Sequence, residues 1–315
     1  MTADQGDPGR RGTSWPKVSV VVPTRKREEL LRRALRTIVG QRYEGEVEAV
    51  VVFDQEDPQD PGIEVGPGRS ITVIRNERSQ GLAGARNSGI LAATGDLVAY
   101  CDDDDEWLPD KIRRQVEAMR RLPHAEVVVT GTTIVYDGKC VDRVIDHDLD
   151  LARLLRSRVQ AIHPSSILVE RRAVIDGIGL VDEEIPGSYG EDYEWLLRAA
   201  RRAPIRVVPV PLVRAHWHRA SYFADRWTVI VDAIHYLLDR HPEFQDEPRG
   251  LSRLYSRLAF AHAAMGQGSE ARRWAGRSIR LDPTQRRAYL AVGVSLHVVS
   301  AERLMRFAHR HGRGL

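Results

Sequence analysis

An α/β fold, a mostly parallel sheet flanked by helices with an all-α extension behind it, is predicted by three features of the 315-residue sequence. Short β-branched runs alternate with amphipathic helical stretches through the first half. Several of these runs give way at once to a polar or acidic loop. From about residue 222 the pattern is helical to the end. Strand–helix alternation produces right-handed βαβ units and a sheet covered on both faces.

The elements follow in order. Residues 18–22 (VSVVV) are an unbroken β-branched run stopped by Pro23, the pattern of a buried parallel strand. Residues 28–39 (EELLRRALRTIV) repeat apolar side chains at helical spacing, with Gly40 as the stop. A second buried strand at 47–53 ends at Asp54. A loop rich in proline and glycine leads to a third strand at 71–74. Residues 82–93 read as a helix, Gly95-Asp96 as a turn, and 97–101 as a fourth strand running into DDDDEW. Ligands of such sheets bind beyond the carboxyl ends of the strands, so positions 23–27, 54–57 and 102–106 are expected to line one crevice. After a helix at 110–121, residues 126–136 and 141–145 flank Asp137-Gly138-Lys139, a hairpin signal. A short strand is expected at 165–169, a helix at 191–201, and a strand at 205–213 that Pro209 and Pro211 assign to a sheet edge.

These elements divide the chain into a disordered tail at 1–16, an α/β domain at 17–225 and a helical region at 226–315. Within the last, 251–283 resembles one tetratricopeptide-like hairpin, most clearly from Leu258 to Pro283.

Composition is that of a globular protein, 42% hydrophobic and 29% charged. The net charge of +3 points to no particular partner, and no nucleic acid is expected. From Arg249 onward, however, 13 arginines face three acidic residues, about +10, which leaves about −7 on the rest. This region reads as a solvated helical face in an arginine-rich chain, with peripheral membrane contact left open. Cys101 and Cys140 have neither zinc-site nor disulfide-framework spacing, and the first sixteen residues lack a secretory pattern, so a reduced cytoplasmic setting is expected. No run of 18 apolar residues occurs to span a membrane.

The acidic loop is the strongest chemical signal. Asp102, Asp103, Asp104 and Asp105 follow a buried strand directly, and like charges so close raise one another's pKa unless a cation or solvent compensates them. A hard divalent cation with oxygen ligands, Mn²⁺ or Mg²⁺, would do so; a solvated turn capping the next helix is the structural alternative. An EF-hand fails, because its sixth and twelfth positions would be Trp107 and Arg113. A haloacid-dehalogenase-type pattern fails at Glu106, and neither GxGxxG nor GxxxxGK[ST] follows a strand.

Taken together, VSVVVPTRKREELLRRAL, VVFDQED, QGLAGARNSGILAATGDLVAYCDDDDEW, HPSSILVERRAV and GEDYEW resemble, in order, a family 2 glycosyltransferase of the GT-A fold, over about residues 17–220. The resemblance implies an inverting, non-processive enzyme that takes a sugar from a UDP-, GDP- or dTDP-sugar to a saccharide, lipid or small-molecule acceptor. It places Pro23, Thr24 and Arg25 against the nucleotide base and has Asp54 hydrogen-bond that base. Asp103 would meet the ribose and Asp104 the metal, with Asp102 and Asp105 in support. Arg86, in the ARN stretch, would either reach the diphosphate or pair with the acidic loop.

The chemistry asks for such residues. The departing nucleoside diphosphate gains negative charge, which a carboxylate-held cation offsets. The acceptor hydroxyl must lose its proton to a base on the far side of the sugar. By the resemblance that base is Asp192, paired with Glu191; a helix-capping role is the structural alternative. One base and no covalent intermediate imply inversion, α-linked donor to β-glycoside. Trp195 is a candidate to stack on an acceptor sugar or to pack in the core. His163, His216 and His218 invite a metal reading and His218 a phosphate contact; histidines simply satisfied by hydrogen bonds are the structural alternative. The QxxRW motif of processive synthases is missing. A nucleotidyltransferase, lacking here its glycine-rich loop, and a non-catalytic sugar-nucleotide-binding scaffold are the alternatives. The arginine-rich C-terminal helices are expected to serve as an acceptor-side or partner-binding lid.

Overall fold

A computed structural model describes residues 14–122, 124–159, 162–217 and 226–310, the last five by their backbone alone. The first half runs β1 (Val18–Thr24), α1 (Glu28–Val39), β2 (Val47–Phe53), β3 (Arg69–Arg75), α2 (Leu82–Ala92), β4 (Leu97–Tyr100), β5 (Glu106–Trp107) and α3 (Lys111–Arg121). It continues with β6 (Val127–Tyr136), β7 (Lys139–Arg143), α4 (Leu151–Arg156), β8 (Leu168–Glu170), the single turn α5 (Arg171–Ala173), α6 (Glu191–Arg202) and β9 (Arg206–His216). Five helices follow: α7 (Trp227–Arg240), α8 (Pro248–Ala264), α9 (Gly268–Leu281), α10 (Arg286–Ser295) and α11 (Ala301–Arg310).

One sheet runs β3-β2-β1-β4-β8-β6-β9-β5, with β7 added to β6. The first four strands are parallel neighbours. Strands β1, β2 and β4 are buried at every position, as their largely apolar runs require, with Ser19 and Glu48 buried as a hydrogen-bonded pair at 2.6 Å, whereas edge strand β3 is partly exposed. Beyond β4 the pairing is mixed: β8 is antiparallel to β4 and β6, and β9 is parallel to β6.

The hairpin forms where Asp137-Gly138 requires it. Both residues have positive φ, 51° and 76°, the combination a two-residue turn needs to match strand twist. Strand β9 is covered on its outer side only at Val213-Arg214, where Glu106-Trp107 adds a two-residue strand. At Pro209 and Pro211 no strand among the described residues pairs on that side, and the register with β6 slips there, as expected of prolines at a sheet edge.

The C-terminal helices are not packed apart from the rest. Ile230, Ile234, Leu254 and Leu258 of α7 and α8 share one apolar core with Tyr193 and Leu196 of α6. A second small core, largely alanine (Ala259, Ala263, Ala271, Ala275, Ala288), joins α8, α9 and α10, so the α8–α9 hairpin gains a third helix against which to bury its face.

Helix α2 lies unusually close to the sheet. A Cβ on Gly89 would stand 2.3 Å from Val21 Cγ1, and one on Gly84 would stand 1.9 Å from the Ser79 carbonyl. Gly89→Ala is therefore expected to cost about 1–3 kcal/mol through forced displacement of α2. Urea denaturation measures it; a variant as stable as the parent would show that the approach is not tight.

Candidate active site

Three strand ends meet as the topology requires. Thr24, closing β1, accepts from the Asp54 N–H with its carbonyl at 3.0 Å and donates its hydroxyl to Asp103 at 2.8 Å. Asp54 accepts from Asn76 Nδ2 at 2.8 Å and, at 3.1 Å, from the N–H of Gly81, which precedes α2. Pro23 is buried and Arg25 is exposed on the loop beyond Thr24. The residues just past each strand, Lys26 and Gln55, hold left-handed φ values of 54° and 60°, so both loops turn sharply.

The acidic loop is neutralised from two sides. Arg27 reaches Asp103 at 3.1 Å and Asp104 at 2.9 Å, and Arg33 donates to the Asp104 carbonyl at 3.0 Å. On the other side the Asp102 N–H donates to the Ser165 hydroxyl at 3.0 Å, which donates onward to Asp105 at 2.5 Å. His163 Nδ1 lies 3.0 Å from Asp105. Burial pushes the Asp103 carboxyl up to about 6 against the pull of Thr24 and Arg27. Burial raises Asp104 as well, helped by Asp102 and Asp105. Burial opposes the charge of His163, but Asp105 outweighs it and carries the imidazole up to about 9.

Asp102, Asp105 and His163 form the one group of three among the described residues whose potential ligand atoms all lie within 4.8 Å of one another. The two carboxylates are the oxygen donors a hard divalent cation such as Mn²⁺ or Mg²⁺ takes, so they fit such an ion, and His163 would add a nitrogen donor only by giving up its proton. The Asp104 carboxylate lies outside that group and, like that of Asp103, is engaged by Arg27.

Arg86 ties this loop to the start of α6. It is 2% exposed, donates to Asp102 at 2.8 Å, and pairs through its other nitrogen with Glu191. Of its two candidate roles it thus occupies the pairing with the acidic loop. Burial raises the Glu191 carboxyl to about 7, with Arg86 resisting and Asp192 adding repulsion. Asp192 moves the other way: burial opposes its charge, but Arg158, at 3.0 and 3.2 Å from its two oxygens, and then Arg86 hold its pKa low. Gly190, with φ 81°, lets the chain enter α6 so that these carboxylates begin the helix.

Other candidates have structural partners. Trp195 is buried, packs edge-on against Tyr100 at 6.1 Å and donates to the Gly179 carbonyl, so core packing and not sugar stacking is its role. His216 lies 2.8 Å from Glu106. His218 lies outside the described residues. Arg27, Arg158 and Ser165 were not singled out from sequence; Ser165 stands inside HPSSILVERRAV, but nothing marks which of its residues reaches the acidic loop.

The comparisons with known proteins agree with this geometry. Residues 19–167 match the family model described as Glycosyl transferase family 2. The pre-mycofactocin glycosyltransferase of Mycobacterium tuberculosis is 30% identical over 67% of this chain and 44% of its own length. An uncharacterized glycosyltransferase of Rickettsia felis is 26% identical over 64% of this chain and 34% of its own length. The chain thus spans about a third to a half of the length of these curated relatives. Among solved structures, S. aureus TarS 1–349 in complex with UDP-GlcNAc superposes with a TM-score of 0.60 at 17% identity, over 94% of this chain and 92% of that one. The Pyrobaculum calidifontis mannosyltransferase PcManGT, in complex with GDP-Man and Mn²⁺, gives 0.57 at 18% identity over 95% and 84%. Both likenesses establish the GT-A architecture.

Replacing Arg86 by Met is expected to cost about 3–5 kcal/mol, because Asp102 and Glu191 lose their buried cation. Arg86→Lys can reach only one of the two and is expected to fall between. Chemical denaturation of both variants measures this; equal stability of Arg86→Met and the parent would show that the bridge carries no weight.

Proposed function

We propose that this chain, which belongs to glycosyl transferase family 2 through residues 19–167, moves a sugar from a nucleoside-diphosphate sugar to an acceptor hydroxyl with inversion and with help from a divalent cation. One observation carries the reading: a carboxylate- and imidazole-lined cation site at the strand ends is joined through a single buried arginine to a second acidic pair at a helix start. That is the arrangement a displacement needs, with leaving-group stabilisation on one side of the sugar and a base on the other.

In this reading Pro23, Thr24, Arg25 and Asp54 receive the nucleoside, with Asp54 accepting from the base and Asp103 from the ribose. Asp102, Asp105 and His163 would hold the cation, and Asp104 would join them by exchanging Arg27. When bound, Mn²⁺ or Mg²⁺ would offset the charge that builds on the departing diphosphate. Asp192, ionised through Arg158 and Arg86, accepts the proton of the attacking hydroxyl; Glu191 orients Arg86 and acts on the reaction through it. The donors held by the two solved neighbours, UDP-GlcNAc and GDP-Man, differ in base and sugar, so neither identity is transferred here. Among the described residues no helix is long and apolar enough to cross a membrane. Both cysteines are free thiols, which supports a cytoplasmic, reducing setting.

A thermal-shift screen of UDP, GDP, dTDP and CDP, with and without Mn²⁺ or Mg²⁺, is expected to find one nucleotide whose stabilisation needs metal. At tenfold excess over Kd the effect is about 1.4 kcal/mol. The shift should vanish in Asp102→Asn and weaken in Asp104→Ala; no shift with any nucleotide from folded protein would favour a scaffold instead. Asp192→Asn should keep nucleotide binding and lose about 10²-fold or more in transfer. Product from an α-linked donor should be the β-anomer by NMR, and an α-product would remove the single-displacement mechanism.

A further inference from the structure

Next to Asp192 lies an arginine cluster that the catalytic reading leaves unused. Arg253 donates to the Tyr193 hydroxyl at 2.8 Å, and Arg257, one turn further along α8, donates to the Tyr189 hydroxyl. Arg287 approaches from α10, close enough for its charge to be repelled by both. Arg158, the partner of Asp192, completes the group. Arg158, Arg253 and Arg257 line one cleft with Tyr189 and Gly190, a space of about 410 Å³ with its open mouth included.

The charge balance here is unusual. Among the described residues no carboxylate pairs with Arg253, Arg257 or Arg287. The Nε atoms of Arg253 and Arg287 are buried with no hydrogen-bond partner. Burial, with added repulsion from Arg257 and Arg253, brings the Arg287 guanidinium down to about 9. Burial and Arg257 likewise lower Arg253. Stacking on Tyr193 and Tyr189, at 5.4 and 5.6 Å, accounts for two of these side chains but not for gathering half-buried like charges at one cleft. Like charges repel where solvent is partly excluded, and a bound anion removes that cost. Guanidinium forks match the oxygens of carboxylate and phosphate alike, and several cations gathered at one cleft suit the greater charge of a phosphate.

We propose that Arg158, Arg253 and Arg257, the three arginines that line this cleft, form an anion subsite that takes a phosphate group carried by the acceptor substrate, with the charge of Arg287 on α10 added to theirs. The acceptor side is indicated by position: the cluster reaches the site through Arg158 on Asp192, whereas the cation-site carboxylate Asp102 is reached through Arg86. This assignment rests on the glycosyl-transfer reading. Its chemical consequence is that the hydroxyl to be glycosylated belongs to a phosphorylated or phosphodiester-linked molecule. A phosphate seated here would also share Arg158 and loosen its hold on Asp192.

Inorganic phosphate is the probe, titrated calorimetrically and by thermal shift against chloride at matched ionic strength. Wild type is expected to bind phosphate, and Arg257→Gln/Arg287→Gln to bind it at least tenfold more weakly while unfolding no earlier in phosphate-free buffer. Arg257→Lys, which keeps the charge and loses the fork, is made alongside so that the test survives a folding failure; it should weaken binding several-fold. Equal phosphate affinity in wild type and variants, or no phosphate binding by wild type, would overturn the subsite. Affinity for the nucleoside diphosphate with Mn²⁺ is measured on the same proteins. A parallel fall there would assign the cluster to the donor diphosphate and overturn the acceptor role. Phosphate binding through the cluster in a wild type that takes no nucleotide would overturn the glycosyl-transfer reading and leave the anion subsite standing.

Discussion

The buried guanidinium of Arg86 is the contact on which the rest of the site depends. It joins Asp102, 16 residues away, to Glu191, 105 residues away, and so fixes the strand-end loop against the start of α6. The neighbouring Asn87 does parallel work, exchanging hydrogen bonds with Val181 at 2.8 Å in both directions. Helix α2 can bring these side chains so deep only because Gly84 and Gly89 let its backbone close on the loop before it and on β1. A buried ion pair adds little net stability, but an unpaired carboxylate in the same place is expensive. The bridge therefore acts chiefly by excluding other arrangements.

Charge in this molecule is segregated around that bridge. On one side, the carboxylates of residues 103–105 are held by Arg27, Ser165 and His163, and Arg33 holds the Asp104 backbone carbonyl. On the other, arginines of α8 and α10 converge on Asp192 through Arg158 and the tyrosines of α6 and the loop before it. Three of the thirteen arginines of the last 67 residues, Arg253, Arg257 and Arg287, are thus turned toward the site and not out over a solvated helical face. That placement is possible because α7 and α8 share the main apolar core with α6. A helical region attached only by a tether could not hold charges so near a carboxylate pair.

The family match ends at residue 167, before Glu191, Asp192 and the C-terminal helices, whereas the structural likeness to TarS covers 94% of this chain. The half of the site proposed to hold the nucleotide thus lies within the family match, whereas the half proposed to receive the acceptor lies beyond it.

What the sequence determined by itself was the parallel half of the sheet, its strand ends and the residues waiting there. Unbroken β-branched runs can be satisfied only by burial on both faces, and the parallel-sheet rule then gives Thr24, Asp54 and Asp103 one address. The Asp137-Gly138 turn was legible for a similar local reason, since both residues tolerate positive φ. Tertiary structure alone decided the partners. Nothing local says that Arg86 meets Glu191, that Ser165 and His163 close on Asp105, that Trp195 is core, or that Glu106-Trp107 pairs with the far end of β9. Those outcomes depend on contacts between segments tens to a hundred residues apart. Periodicity reports which face of an element is buried but carries no information on what it is buried against.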